Sequence, residues 1–425
     1  MLGAVYGNPD TAFYDPQRAF GFYSAAAKQN HPEALYQRAD MLLNGRGTGA
    51  NFPAAAEALL LAAEQGHPAA QFALAGLYEQ GKGIEASPAL ALQWLQASAD
   101  QEYLDAYFPL AVNLLALAIS PEQTQQALSW FIAAADNNER DAQYALSQIY
   151  MAGDGVDKNV QLAESYLMQA AENGLATAQY DYASRELEKG MDVAGIAPFM
   201  VAAAEQGHAP AFKQAALYLR DGNGIPANIA RAAFFFKQAA DNGDADAIFE
   251  TARNFDKGVG LPTDREAAIR YYLLSAEQGR LEAEMEMAEA YNQGDGIEAD
   301  FEQAYGYYLR AAEKGNIEAA YNLGMMSQAG VGAPTSLKEA AKWYEVAAMQ
   351  GHLQSQVNLG IVYVTGMDML QDFERAHMWF NIAAAMGHET AAGYRDKLAA
   401  RMDKNSLALA QKNARLCVEN QLNDC

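Results

Sequence analysis

Five of the six histidines in this 425-residue chain, His31, His67, His208, His352 and His388, recur at spacings that invite a test for metal chemistry. Four directly follow a glycine, as in Gly66-His67, Gly207-His208, Gly351-His352 and Gly387-His388. A zinc site draws its ligands from pairs a few residues apart. These imidazoles stand at equivalent places in separate segments, with no ligands clustered beside them, so they read as residues that start a turn or helix. His377 stands outside the series and reads as packing or surface. The acids Glu33, Asp105, Asp141, Asp246, Glu282 and Glu318 share one place two residues beyond the histidine slot. A carboxylate ladder for a cationic ligand is one reading. The other is structural, since negative charge in a helix's first turn is stabilised by about 0.3–1 kcal/mol. No acid/base pair, Ser/His/Asp arrangement, Walker loop or metal spacing stands out. No catalytic residue, metal ligand or cofactor is therefore assigned.

The two cysteines, Cys417 and Cys425, lie with seven residues between them at the end of the chain. They close a terminal disulfide in an oxidising compartment, or they are two unrelated thiols; sequence leaves both open.

A repeat must position all of these residues. With the glycine slot as position zero, zeros fall at 30, 66, 102, 138, 174, 207, 243, 279, 315, 351 and 387, nine intervals of 36 residues and one of 33. Such a period, sustained throughout, marks a solenoid whose units cannot bury their apolar faces alone. Each unit holds two helices. The first has a small residue at position 4 (Ala34, Ala70, Ala106), an apolar one at 8, a small one at 9 and often Tyr at 12, all on one helical face. Pairs such as Gly45/Gly47 and Gly330/Gly332 end it, since glycine adopts positive φ at a helix C-terminus. They lie in helix-to-helix turns, which excludes a phosphate loop. Short polar residues at position 21, such as Asn51, Ser87 and Asp264, then cap the second helix, with Pro53 and Pro88 just after. Rings such as Trp130-Phe131, Tyr271-Tyr272 and Trp343-Tyr344, followed by paired alanines, are expected to be core.

The pattern Ala319-x-x-x-Leu323-Gly324, Gly330-x-Gly332, Ala340-x-x-Trp343-Tyr344 and Ala347-Ala348-x-x-Gly351 resembles the Sel-one-like repeat family, relatives of the tetratricopeptide repeats, over nearly the whole chain. The resemblance implies an all-α fold, a right-handed superhelical α-solenoid of antiparallel helix pairs with about ten 36-residue repeats, acting as an adaptor in protein complexes. Bacterial members of this kind are often exported and act in envelope signalling, polysaccharide secretion or contact with host proteins. By similarity to tetratricopeptide arrays, positions 6, 10 and 13 face a concave groove. Position 6 carries Tyr36, Phe72, Phe108, Tyr144, Tyr180, Phe249 and Tyr321. Rings there suit an extended peptide or partner helix, giving large contact area at low entropy cost. The alternative is that they are consensus rings packed on their neighbours. Together with Tyr103, they form the expected partner-binding set.

Two repeats depart from the frame. Repeat 102–137 has Pro109, expected inside the first helix where it would bend the axis, and Leu117-Ala118-Ile119-Ser120 in place of the glycine pair. Repeat 174–206 is three residues short, with Glu186-Leu187-Glu188-Lys189-Gly190-Met191-Asp192 at the turn. Drift in a tolerant array or a shaped binding region accounts for both.

Residues 1–29 read as a partial repeat, 30–387 as the solenoid and 388–425 as capping helices, the last over about Ser406–Glu419 behind the cap Asn405. Leu2, Gly3 and Tyr6 fall on positions 8, 9 and 12 when the frame is run backwards, so the chain is expected to start within a repeat, any targeting segment lying upstream. A periplasmic or exported location is expected, with a cytoplasmic one as the alternative. The net charge of −24 disfavours nucleic acid or anionic membrane as partner, and no apolar run reaches 18 residues. The expected partner is a protein or peptide, with basic character one option. The principal expectation is a non-catalytic scaffold. An immunity protein that plugs a toxin, or an enzyme acting on a cell-wall ligand, are the other classes. The relatives behind the last carry a cysteine pair in nearly every repeat, unlike this chain.

Overall fold

Each second helix begins where a short polar side chain can accept the backbone N–H groups that a first turn leaves without partners. In the computed structural model, which describes residues 2–118, 120–422 and 425, Asn51 Oδ1 accepts from Ala54 N at 3.0 Å and Asp264 Oδ1 from Ala267 N at 2.9 Å. The first helices end as expected, with Gly45 left-handed at φ 64°. The second glycine has a different reason. A Cβ on Gly47 would lie 2.0 Å from the Pro16 carbonyl oxygen, the start of the preceding second helix. Gly332 faces the Phe301 carbonyl in the same way, at 2.1 Å. One glycine turns the chain, and its partner lets the next repeat come close.

The described residues form 24 α-helices and no strand. They divide into two compact units, Met1–Ala211 and Phe212–Cys425. The first holds α1 (Leu2–Gly7), α2 (Pro16–Ala27), α3 (Pro32–Asn44), α4 (Phe52–Glu64), α5 (Pro68–Gln80), α6 (Pro88–Ala99), α7 (Tyr107–Leu117), α8 (Pro121–Asp136), α9 (Arg140–Ala152), α10 (Val160–Glu172), α11 (Ala176–Glu188) and α12 (Val193–Glu205). The second holds α13 (Phe212–Asp221), α14 (Ile229–Asp241), α15 (Ala245–Lys257), α16 (Arg265–Glu277), α17 (Leu281–Gln293), α18 (Phe301–Glu313), α19 (Ile317–Ala329), α20 (Leu337–Met349), α21 (Leu353–Thr365), α22 (Phe373–Ala385), α23 (Ala391–Ala399) and α24 (Lys404–Glu419). Within each unit consecutive helices pack on one another up to α23, and α24 returns to pack on α22.

The cores are large rings set against small residues. Phe131, Tyr272, Tyr344 and Trp379 are almost fully buried. A Cβ on Gly324 would come within 2.5 Å of the Tyr344 ring, and one on Gly360 within 2.6 Å of Phe380, so position 9 stays small because a ring fills its space. His377 is buried among these residues, settling it as packing.

A glutamine at position 5, unremarked in the sequence reading, ties the helices together. Gln71, Gln143, Gln179 and Gln356 are buried, and each donates through Nε2 to the carbonyl eight residues earlier, at 3.1–3.2 Å. The far end of the same repeat donates to that side chain: Gln101 to Gln71 at 2.7 Å, Asn173 to Gln143 at 2.9 Å and Gln206 to Gln179 at 2.9 Å. At Glu284 the pair is ionic instead, with Lys314 Nζ 2.7 Å from a carboxylate that is 1% exposed.

Two expectations need correction. Pro109 does not interrupt a helix. A 3₁₀ turn over Leu104–Ala106 comes first, and α7 starts at Tyr107. Pro109 thus falls in the first turn, where an absent N–H removes no intrahelical bond. The proline that does lie inside a helix is Pro198 of α12. The last helix starts two residues earlier than expected, at Lys404, and its cap is Asp403, not Asn405, because the Asp403 carboxylate accepts from Asn405 N at 2.8 Å and Ser406 N at 3.1 Å. Ile119 of the missing glycine pair lies outside the described residues, but Ser120 next to it caps α8. The structure pairs Cys417, buried on α24, with Cys425 in a disulfide, Cα atoms 4.9 Å apart.

Candidate partner-binding face

The histidine slot starts the first helix of each repeat, and at His67 the side chain does two jobs. His67 Nδ1 accepts from Ala70 N at 3.2 Å, so it caps α5. Its ring also stacks on Tyr36 of the preceding repeat, centroids 5.0 Å apart. The same pairing of position 6 with the next position 1 recurs as Phe72 with Tyr103 at 5.6 Å and Tyr180 with His208 at 5.0 Å. In the second unit Tyr321 meets His352 at 4.7 Å, and the Arg280 guanidinium lies 4.2 Å from the Phe249 ring centroid. Lys213 replaces the ring at its position 6, and pairs with Asp244 at 2.9 Å.

The position-3 acids complete the pattern. Glu33 Oε2 lies 2.9 Å from His67 Nε2, Asp246 Oδ1 3.2 Å from Arg280, and Glu318 Oε2 3.8 Å from His352 Nε2. Partial burial pushes the Glu33 carboxyl up, but hydrogen bonds from His67 and Gln37 outweigh it and hold it below its ordinary value. Three of the six position-3 acids are therefore engaged between repeats.

Tyr36, Phe72, Tyr103, Phe108, Tyr144, Tyr180 and Tyr321 are half-buried, each leaving part of its surface open. Phe249 differs: it is 8% exposed, with Arg280 over its face, so a ligand reaches Arg280 first. Phe108 turns its ring edge to Phe131 at 5.9 Å, and Tyr144 donates to Asp181 at 2.7 Å. Desolvation, then the Asp181 hydrogen bond, pushes the Tyr144 phenol up to about 12. Burial and then Asp105 do the same for Tyr103, also to about 12. Both remain neutral hydrogen-bond donors at physiological pH. The structure does not gather the expected residues into one pocket. It lays them out as pairs along the first-helix face of each unit.

The sequence reading overlooked the second member of each pair, His67, His208, Arg280 and His352. Its signal was present: the partners are 31 residues apart in Tyr36/His67, Phe72/Tyr103, Phe249/Arg280 and Tyr321/His352, and 28 apart across the short repeat. Among the described residues no group of three His, Cys, Asp or Glu could hold a metal ion, and no helix is long and apolar enough to cross a membrane.

Helix pairs stacked in register along the chain define a helical-repeat protein. The chain belongs to the Sel1 repeat family, whose repeat matches residues 1–31, 32–67, 68–103, 111–139, 140–175, 214–244, 245–279, 281–316, 317–352 and 353–388. Sel1 repeats typically build protein-interaction scaffolds. The two long gaps in the match, 104–110 and 176–213, fall on the two irregular repeats, the second running on into the start of the repeat after it. A protective antigen of uropathogenic Escherichia coli that displays an SLR fold is similar at 22% identity and a TM-score of 0.55, covering 95% of each chain, which shows the shared fold. A Sel1 repeat protein from Oxalobacter formigenes is 23% identical over 91% of this chain and 95% of its own, with a TM-score of 0.36. An immunity protein from Pseudomonas aeruginosa is 18% identical over 58% of this chain and 81% of its own, with a TM-score of 0.23. The last two superpose too loosely to carry an argument. No curated protein matches the sequence.

Proposed function

We propose that this chain is a non-catalytic adaptor that holds a partner protein or peptide against the first-helix face of its repeats. One observation carries the reading: half-exposed rings at position 6, of which Tyr36, Phe72, Tyr144, Tyr180 and Tyr321 are propped by a side chain of the next repeat, form a regular surface that is already ordered before any partner arrives. A ring fixed in this way loses little freedom on binding, so more of its contact area appears as affinity. Rings of this type are also those that dominate interfaces when truncated.

Site-specific photo-crosslinking tests the proposal. A benzophenone side chain placed at Gln37 or Asp181, beside the rings, is expected to form adducts with a partner in the native host. One placed at Phe234 or Leu274, exposed on second helices, is expected to form none. Adducts from the second-helix positions alone would overturn the assignment of the face.

A further inference from the structure

The last stretch of the first-helix face differs from the rest. Between α21 and α23, each in the second unit, lies a groove of about 370 Å³. Ile361 and Val364 at positions 10 and 13 of α21, the Phe380 ring of α22 and Tyr394 of α23 line it, with Lys397 and Arg401 at its edge. Phe380 and Tyr394 stack with centroids 5.5 Å apart, which fixes the wall, and Tyr394 remains 42% exposed. The groove is thus apolar inside and cationic along one side.

Charge separates it from its surroundings. Residues 388–425 carry six Lys or Arg against five Asp or Glu, whereas the whole chain carries 29 against 53. On the equivalent face of α17 in the same unit stand Glu286 and Glu289, while α15 sets Arg253 and Lys257 beside Glu250 and Asp256. Burial, with Asp256 and Glu289 nearby, raises the Glu286 carboxyl, as expected where negative charge is crowded. Among the described residues neither Lys397 nor Arg401 forms an ion pair; Arg401 lies 5.2 Å from the Phe373 ring centroid. Two uncompensated cations beside an apolar groove, on a chain otherwise strongly acidic, are complementary to an anionic amphipathic segment. The same segment is repelled from the Glu286 and Glu289 face of α17, so charge favours the groove over that stretch.

We infer that this groove receives an acidic amphipathic stretch of a partner protein, its apolar residues entering between α21 and α23 and its carboxylates meeting Lys397 and Arg401. The inference deepens the adaptor reading and rests on it for the choice of face.

Selection from a phage-displayed random dodecapeptide library against the full chain tests it. Peptides that pair Asp or Glu with Leu, Ile or Phe are expected to be enriched. Their affinity should fall at least tenfold for the Lys397→Glu/Arg401→Glu variant, unchanged in thermal midpoint, and stay the same for the control Lys342→Glu on α20. Enrichment of basic or uncharged peptides, indifference to the charge reversal, or no enrichment would overturn the proposal. So would a dimer in sedimentation that Lys397→Glu/Arg401→Glu abolishes, because the occupant would then be a second copy. Photo-adducts at Gln37 or Asp181 that persist when the groove result is negative leave the face standing and remove the groove alone.

Discussion

His67 holds the start of its own helix and the Glu33 carboxylate of the repeat before it at once, Nδ1 accepting from Ala70 N at 3.2 Å and Nε2 lying 2.9 Å from Glu33 Oε2. Substitution can separate the two roles. His67→Asn keeps a capping acceptor and loses the Tyr36 stack, whereas His67→Ala loses both. The alanine variant is expected to be less stable than the asparagine variant by about 1 kcal/mol, read from urea midpoints.

Glu33 gives this contact a pH dependence. Its folded-state pKa lies below the ordinary value of 4.5, so its stabilisation is present above that value and is lost as pH falls through the folded pKa. Glu33→Gln is therefore expected to lower the thermal midpoint at neutral pH, with the difference from wild type shrinking once pH drops below 4.5. A difference that grew on acidification would contradict the assignment.

Two glycine substitutions should have opposite signs. Gly47→Ala puts a Cβ 2.0 Å from the Pro16 carbonyl at a φ of 70°, and is expected to cost about 2 kcal/mol or more. Gly306→Ala lies within α18 with nothing inside 4 Å of the new carbon, and is expected to stabilise by about 0.5–1 kcal/mol. Thermal melts of the two variants decide it.

Glu284 and Lys314 predict an asymmetry. Lys314→Met leaves a carboxylate that is 1% exposed without its cation, and is expected to cost about 3 kcal/mol. The double change Glu284→Gln/Lys314→Gln rebuilds the Gln71–Gln101 arrangement, and should fall within about 1 kcal/mol of wild type by urea denaturation.

For the terminal pair, intact mass before and after reduction should show a gain of two hydrogens, and Cys417→Ser should lose about 2 kcal/mol of local stability, read from amide exchange in α24. An unchanged mass would show free thiols.

The register of helices was legible because it rests on local chemistry repeated many times: Asn51 and Asp264 as caps, Gly45 as a left-handed stop, Tyr272 and Trp379 as rings over paired alanines. Errors arose where one residue type fits two local solutions. Pro109 suits a helix's first turn as well as a kink, and the preceding 3₁₀ turn decides between them. Asp403 and Asn405 are both competent caps two residues apart. The Tyr36/His67 pairing was hidden for another reason, since it joins neighbouring repeats and becomes visible only once α4 has carried the chain back to set His67 beside Tyr36. The groove beside Lys397 required knowing that α23 continues the first-helix face beyond the last full repeat.

A position-5 glutamine gives its repeat a lock and a key: it donates to a carbonyl of the repeat before, and Gln71, Gln143 and Gln179 each receive a hydrogen from the end of their own repeat. Gln356 instead meets the Met386 thioether, 3.6 Å from its own Nε2, and its Oε1 has no hydrogen-bond donor. The repeats headed by Gln71, Gln143 and Gln179 are therefore interchangeable parts, each bringing its own brace and asking of its neighbour only a backbone carbonyl. The repeat headed by Gln356 lacks that brace, so lengthening the array by duplication favours a copy of one of the other three.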